Sequence, residues 1–191
     1  LKLTKEDTLR NGTQANLAGK KPLSVSTYDH IKMLSDLNSV VAISKPSNDQ
    51  LERVTQLVNK TNQFNLNGQR RTPTEIKRLA RESDSCLLIG ELRDDLTNYG
   101  VVTAIGGQFV GNSFRVDIWV MSCRTFDRYL EHAMISALRS EIVARSIDLI
   151  SLEIKRTARN DYFINTCSEL GLFEKSVEDG SCLVQASSVK S

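Results

Sequence analysis

Long apolar runs are missing from this chain. No stretch approaches the ~18 to 20 residues that span a bilayer, and the opening LKLTKEDTLRNG lacks the apolar core of a signal peptide. A cytosolic (cytoplasmic) domain with no membrane partner is expected. One-sided charge is missing too. The 25 Lys and Arg face 23 Asp and Glu, a formal +2 that gives no strong field to draw nucleic acid, so no nucleic-acid partner is expected. Metal-ligand patterns are also lacking. Cys86, Cys123, Cys167 and Cys182 stand alone without a CxxC pair, and His30 and His132 are the only imidazoles, so no metal site is expected. The thiols read as buried and reduced. No internal repeat or low-complexity tract occurs. A length of 191 residues suits one domain plus an extension. The chain starts at Leu1 rather than Met, which points to a piece of a longer protein.

What is present is punctuated apolar patterning. Thr4 with Asp7, and then Ser24 and Ser26 ahead of Tyr28, Ile31, Leu34 and Leu37, signal two helices separated by Gly19 to Pro22. From Ser39 the texture changes to SVVAIS, a short buried strand, and the domain boundary falls here. Ser47 with Gln50 predicts a capping box for a helix burying Leu51, Val54, Leu57 and Val58. Thr72-Pro73-Thr74-Glu75 predicts the start of another. CLLIGEL, VVTAIGGQFV and SFRVDIWVM then read as three antiparallel strands, turning at Asp94 to Gly100 and at Gly111-Asn112. In the third, Phe114, Val116, Ile118 and Val120 are expected on one face, and Arg115, Asp117, Trp119 and Met121 on the other. A long helix follows with Leu130, Met134, Ala137, Leu138 and Ile142 inward. The strand IDLISLEI, a helix from Arg159 to Leu170 stopped by Gly171, and the strand SCLVQA complete the chain. A doubly wound sheet, which alternates strand and helix throughout, is excluded by this mixed order.

Three blocks narrow the class further. They are Arg53, Gln56 and Leu57 leading into KTNQFN at Lys60 to Asn65, then Ser122-Cys123-Arg124, then Asn160 ahead of Glu169-Leu170-Gly171. Together with the element order, they resemble the C-terminal half of the FkbH-like proteins (HAD subfamily IIIC) over residues 4 to 175. The resemblance implies an α/β mixed sheet of the GNAT acyl-CoA N-acyltransferase type. In that family a HAD-type phosphatase domain comes first and takes a glyceryl or related group from a phosphorylated donor to an acyl carrier protein, as in polyketide biosynthesis. The implied partners are an acyl carrier protein and the upstream HAD-type domain of the same polypeptide. The implied cofactor is acyl-CoA or the carrier's phosphopantetheine. No aspartate-rich DxDx[TV] loop occurs in these residues, so the loading chemistry is expected upstream of Leu1. Residues 1–38 then read as a helical linker and 39–191 as the GNAT-like domain.

A GNAT site makes two demands. Acyl-CoA pyrophosphate is bound at the N-terminus of the long helix, where free N–H groups and the dipole favour anions. The resemblance places Ser122, Arg124, Arg128 and Tyr129 there. The usual Arg-x-x-Gly-x-Gly/Ala pattern is altered, however: Asp127 and Tyr129 stand at the small positions. Asp127 could equally be a first-turn carboxylate stabilising its own helix. The second demand is a proton donor, commonly Tyr, and that position falls on Cys167, either a thiol acid or a small packed residue. Asp117 and Glu153 are strand carboxylates, candidate general bases or parts of a solvated face. Asn62, Gln63, Asn65 and Asn160 are candidates for substrate contact, although the loop could instead be stitched together by its own amides. Trp119 and Tyr162 read as packing residues that could line the cleft. Two functions stay open: an acyltransferase, or a noncatalytic GNAT-shaped module docking the carrier or the HAD domain.

Overall fold

The computed structural model describes residues 27–147, 149–172 and 181–185, with 27–30 and 181–185 described by backbone alone. They fall into two compact units that part between Leu37 and Asn38. In the first, α1 (Thr27–Asp36) carries the helical spacing of Tyr28, Ile31 and Leu34. The Thr4 and Ser24/Ser26 signals, and the break at Gly19 to Pro22, lie outside the described residues.

The second unit runs β1 (Val40–Ser44), α2 (Leu51–Lys60), α3 (Pro73–Arg81), β2 (Ser85–Arg93), β3 (Asn98–Val110), β4 (Ser113–Met121), α4 (Leu130–Val143), β5 (Leu149–Glu153), α5 (Asp161–Glu169) and β6 (Ser181–Gln185). The strands form one sheet in the order β1-β2-β3-β4-β5-β6. All neighbours are antiparallel except β4 and β5, which run parallel and therefore need the crossover that α4 supplies. Local chemistry sets the helix starts. Thr72 accepts from the Glu75 N–H while the Glu75 carboxylate accepts from the Thr72 N–H, a complete capping box with Pro73 in the first turn. At α2 only half of the expected box forms. Gln50 Oε1 accepts from the Ser47 N–H at 3.0 Å, while Gln50 itself occupies the cap position.

Each face of the sheet is covered. Val54, Leu57 and Val58 of α2 and Ile76 of α3 pack with Leu87, Ile89, Ala104, Ile118 and Val120. On the other face Leu130, Met134, Leu138 and Ile142 of α4 and Phe163 and Cys167 of α5 pack with Leu88, Val102, Phe114, Trp119 and Met121. Each fully buried Val, Leu, Ile, Phe or Met side chain among them stabilises by about 1.5 to 3 kcal/mol.

The simple alternation expected along β4 is wrong at one residue. Gly107 pairs with Val116 but Gly106 pairs with Ile118, so Asp117 is an extra, bulged residue. Past it every side chain changes face. Phe114 and Val116 share a core with Trp119 and Met121, while Ile118 and Val120 join the α2–α3 side. Gly107 permits the bulge: a Cβ there would lie 1.8 Å from the Arg115 carbonyl oxygen.

Among the described residues, no helix is long and apolar enough to cross a membrane, and no group of three or more His, Cys, Asp or Glu could hold a metal ion.

Candidate functional site

The bulge at Asp117 directly follows the last residue of β4 that pairs with β5. β4 and β5 pair only from Ser113 to Val116 and from Leu149 to Leu152. Beyond this point they diverge, and divergence between parallel strands leaves backbone donors and acceptors to be satisfied. Such an opening, beside the carboxyl ends of strands, is where ligands of open α/β sheets bind. Here the chain fills it. Asn65 forms an antiparallel bridge with Val120. Leu66 N–H donates to the Trp119 carbonyl at 3.1 Å, and Met121 N–H donates to the Phe64 carbonyl at 3.2 Å. On the far side Lys155 N–H donates to the Leu66 carbonyl at 3.2 Å. Phe64 is 0 % exposed and meets Phe163 and Trp119 edge-on at 5.0 and 5.6 Å between centroids.

The amides of this segment hold the wedge in place. Asn65 Nδ2 donates to the Thr61 carbonyl, and its Oδ1 accepts from Asn67 and Gly68 N–H. Asn160, also 0 % exposed, donates to the carbonyls of Asn65 and Lys155, and accepts from Thr157 N–H at 2.7 Å. Asn62 Oδ1 accepts from Arg70 at 2.7 Å. Of the four expected substrate contacts, three are thus committed to the fold, and Asn65 and Asn160 are brought together for that purpose. Gln63 is exposed, with its carbonyl accepting from Phe163 N–H.

The loop leading to α4 closes one end of the wedge. Phe126 stacks on Tyr162 with centroids 3.9 Å apart and planes at 6°. Asp127 and Tyr129 have φ of +61° and +56°, the left-handed region that glycine adopts without strain. The backbone therefore has the shape the glycine pattern would supply, with larger residues in it. The charge is the reverse of what an anion needs. Asp127 accepts from the Tyr162 hydroxyl at 3.3 Å. Glu131 is buried in the first turn of α4, its Oε1 3.4 Å from His132 Nδ1 and its Oε2 without a hydrogen bond among the described residues. Burial, and then the Asp127 carboxylate, push the Tyr162 phenol up to about 12.

The expected cofactor residues are largely engaged elsewhere. Arg128 Nη1 pairs with Asp94 Oδ2 at 2.8 Å, and Nη2 donates to the Tyr99 hydroxyl at 3.0 Å. The Asp94 side chain is 0 % exposed. Burial pushes its carboxyl up, but hydrogen bonds from Arg128 and from the Thr97 and Leu96 N–H groups outweigh this and hold it below the usual carboxylate range. Arg128 thereby ties the α4 loop to the β2–β3 turn. Ser122 donates its N–H to the Val102 carbonyl and caps Thr125 with its own. Arg124, half-buried, reaches Ser122 Oγ at 3.4 Å. Tyr129, at the cap position of α4, sets its ring edge-on to His132.

The two catalytic candidates are not brought together. Asp117 pairs with Arg115 at 3.0 Å. It borders a hollow of only about 30 Å³ shared with Ile76 and Ile118 on the α2–α3 face. Cys167 is 0 % exposed within the opposite core. Glu153 is exposed at the end of β5.

Two features escaped the sequence reading. The wedge had one signal, Phe64 and Leu66 alternating with Asn65 inside a polar stretch, the period of a strand. The other is a groove of about 620 Å³ between α2 and α3, lined by Leu51, Thr55, Pro73, Lys60, Lys77 and Arg81 among others.

No protein-family model matches the sequence, and no curated protein matches it either. Solved structures do match. An acetyltransferase of the GNAT family from Staphylococcus aureus Mu50 is 11% identical with a TM-score of 0.59, over 77% of this chain and 99% of that one. The ribosomal-protein-S18-alanine N-acetyltransferase from Escherichia coli is 14% identical with a TM-score of 0.56, over 77% and 94%. The PaiA N-acetyltransferase from Thermoplasma acidophilum, solved in complex with coenzyme A, is 10% identical with a TM-score of 0.54, over 76% and 98%. With its mixed sheet, its β4–β5 divergence and the helices preceding β2, the chain has the fold of the GNAT acetyltransferases.

Proposed function

We propose that this domain is a noncatalytic, GNAT-shaped docking module of an FkbH-like protein, which holds an acyl carrier protein for an upstream HAD-type domain that loads a glyceryl or related group. The observation that carries this reading is the β4–β5 opening occupied by residues 64–66. An extended ligand entering there would have to break the Leu66–Trp119 and Met121–Phe64 backbone bonds and expel Phe64 from its aromatic cluster. Asp127 and Glu131 set negative charge where an acyl-CoA pyrophosphate would lie, opposing it in a partly dry site. Arg128 is committed to Asp94. These residues do not fit acyl-CoA. Cys167 is sealed in the core, and a phenol raised to about 12 holds its proton firmly at neutral pH.

A second reading, binding of acyl-CoA, is favoured by the positive φ at positions 127 and 129 and by the likeness of fold to the Thermoplasma acidophilum protein solved with coenzyme A. Calorimetry separates the two. On the docking reading, holo acyl carrier protein gives a saturable heat while acetyl-CoA gives none. Acetyl-CoA also leaves the emission of Trp119, the sole tryptophan, unchanged. Saturable acetyl-CoA binding that Arg124→Ala weakens would overturn it in favour of acyl transfer.

A further inference from the structure

Building on that docking reading, we propose that the carrier-binding surface is the groove between α2 and α3, and that its occupant is an acidic amphipathic helix of the carrier protein. The first support is the distribution of charge. Residues 51 to 82 hold seven Lys and Arg against three Asp and Glu, a net +4 in a chain whose total is +2, so the remainder is net negative. Three of these cations, Lys60, Lys77 and Arg81, line the groove against the single carboxylate of Glu52, a local excess of positive charge that steers an oppositely charged partner. The second support is the availability of that charge. Lys60 and Lys77 line the groove, are exposed, and make no ion pair among the described residues. Arg81, also exposed, reaches across to Asn48. Arg71 and Arg78, by contrast, are balanced by Glu75 and Glu82 at 3.6 and 3.7 Å.

The shape selects among anions. The trough between two packed helices offers Leu51, Thr55 and Pro73 as its less polar surface with cations along it, the arrangement that receives the apolar stripe and acidic flank of a helix. None of the lining residues is aromatic, so the groove offers no platform for stacked bases. Lining cations number three, Lys60, Lys77 and Arg81, with Glu52 opposing them. That is few for a phosphate backbone, whose binders commonly neutralise about six to ten phosphates.

The test uses the full chain with Lys60→Glu and Lys77→Glu combined, against an acidic acyl carrier protein in holo form, by calorimetry at low and physiological salt. Binding is expected to weaken by about tenfold or more, with the Lys60→Ala/Lys77→Ala protein in between and a flatter salt dependence in both variants. The two lysines are exposed, so the circular dichroism spectrum and melting point report whether the variants stay folded. A control reversal at exposed Lys155 and Arg159 should leave affinity unchanged. Wild-type binding that the Lys60/Lys77 reversal does not alter would overturn the groove while leaving the docking reading intact. No carrier binding by the wild type at either salt would sink both. A duplex DNA that binds as tightly as the carrier and competes with it would overturn the choice of an acidic helix.

Discussion

The β4–β5 opening and the α2–α3 groove are both concave, yet the chain treats them in opposite ways. The first is packed with Phe64 and Leu66 and edged by Asp127 and Glu131. The second is open and basic. The difference follows from what lines each one. Diverging strands leave peptide groups exposed, and those groups must be paired with a ligand, with water or with the chain itself. Residues 64–66 pair them here, which closes the opening. Helices satisfy their own peptide groups, so a trough between two of them can stay open without penalty. Its side chains then set its character. In this molecule the opening has been turned into structure, and the concave surface left open is the trough between α2 and α3.

The wedge depends most directly on Phe64. Phe64→Ala removes a fully buried ring from the aromatic cluster and should cost about 3 to 5 kcal/mol, read by urea unfolding. The folded variant should also show altered Trp119 emission, since Phe64 lies 5.6 Å from that ring. A loss below 1 kcal/mol would mean that the opening is not held shut by this residue.

Arg128→Ala should have the next largest effect, about 2 kcal/mol, because it strips the partner from the solvent-inaccessible Asp94 carboxylate. The sign with pH is fixed. Asp94 is held below its ordinary 3.8, so the wild type's advantage is complete above that value and is lost as pH falls below it. An advantage that grew in acid would show that Arg128 does not act through Asp94.

The smallest effect is expected at Tyr129, where φ is +56°. Tyr129→Gly relieves left-handed strain but frees the unfolded chain, for a net gain of no more than about 1 kcal/mol in thermal unfolding. Combined with Asp127→Gly it rebuilds the glycine pattern. Acetyl-CoA should still fail to bind, because the wedge remains. Binding gained by that double variant would place the block in the loop instead of the opening.

Much of the architecture was legible because it depends on neighbours in the chain. The Thr72–Glu75 box, the Gly111-Asn112 hairpin and the Gly171 stop are local, and all three stand where the sequence pointed. The alternation of β4 failed at Asp117, since a bulge is a relation between two strands and Gly107 alone does not announce it. The candidate site was legible as a set of positions and much less as roles. Asn65 and Asn160, read as possible substrate contacts, meet across 95 residues to hold the wedge. Arg128 finds its carboxylate 34 residues away.

The sequence by itself determined the order of strands and helices, the faces the helices bury, and the altered residues at positions 127, 129 and 167. These are matters of periodicity and residue type, carried within a turn or two of chain. Only the tertiary structure decided that the opening between β4 and β5 is closed and that the α2–α3 groove is not. Both outcomes depend on which distant peptide groups and charges come within a few ångströms of each other, and no local pattern encodes that.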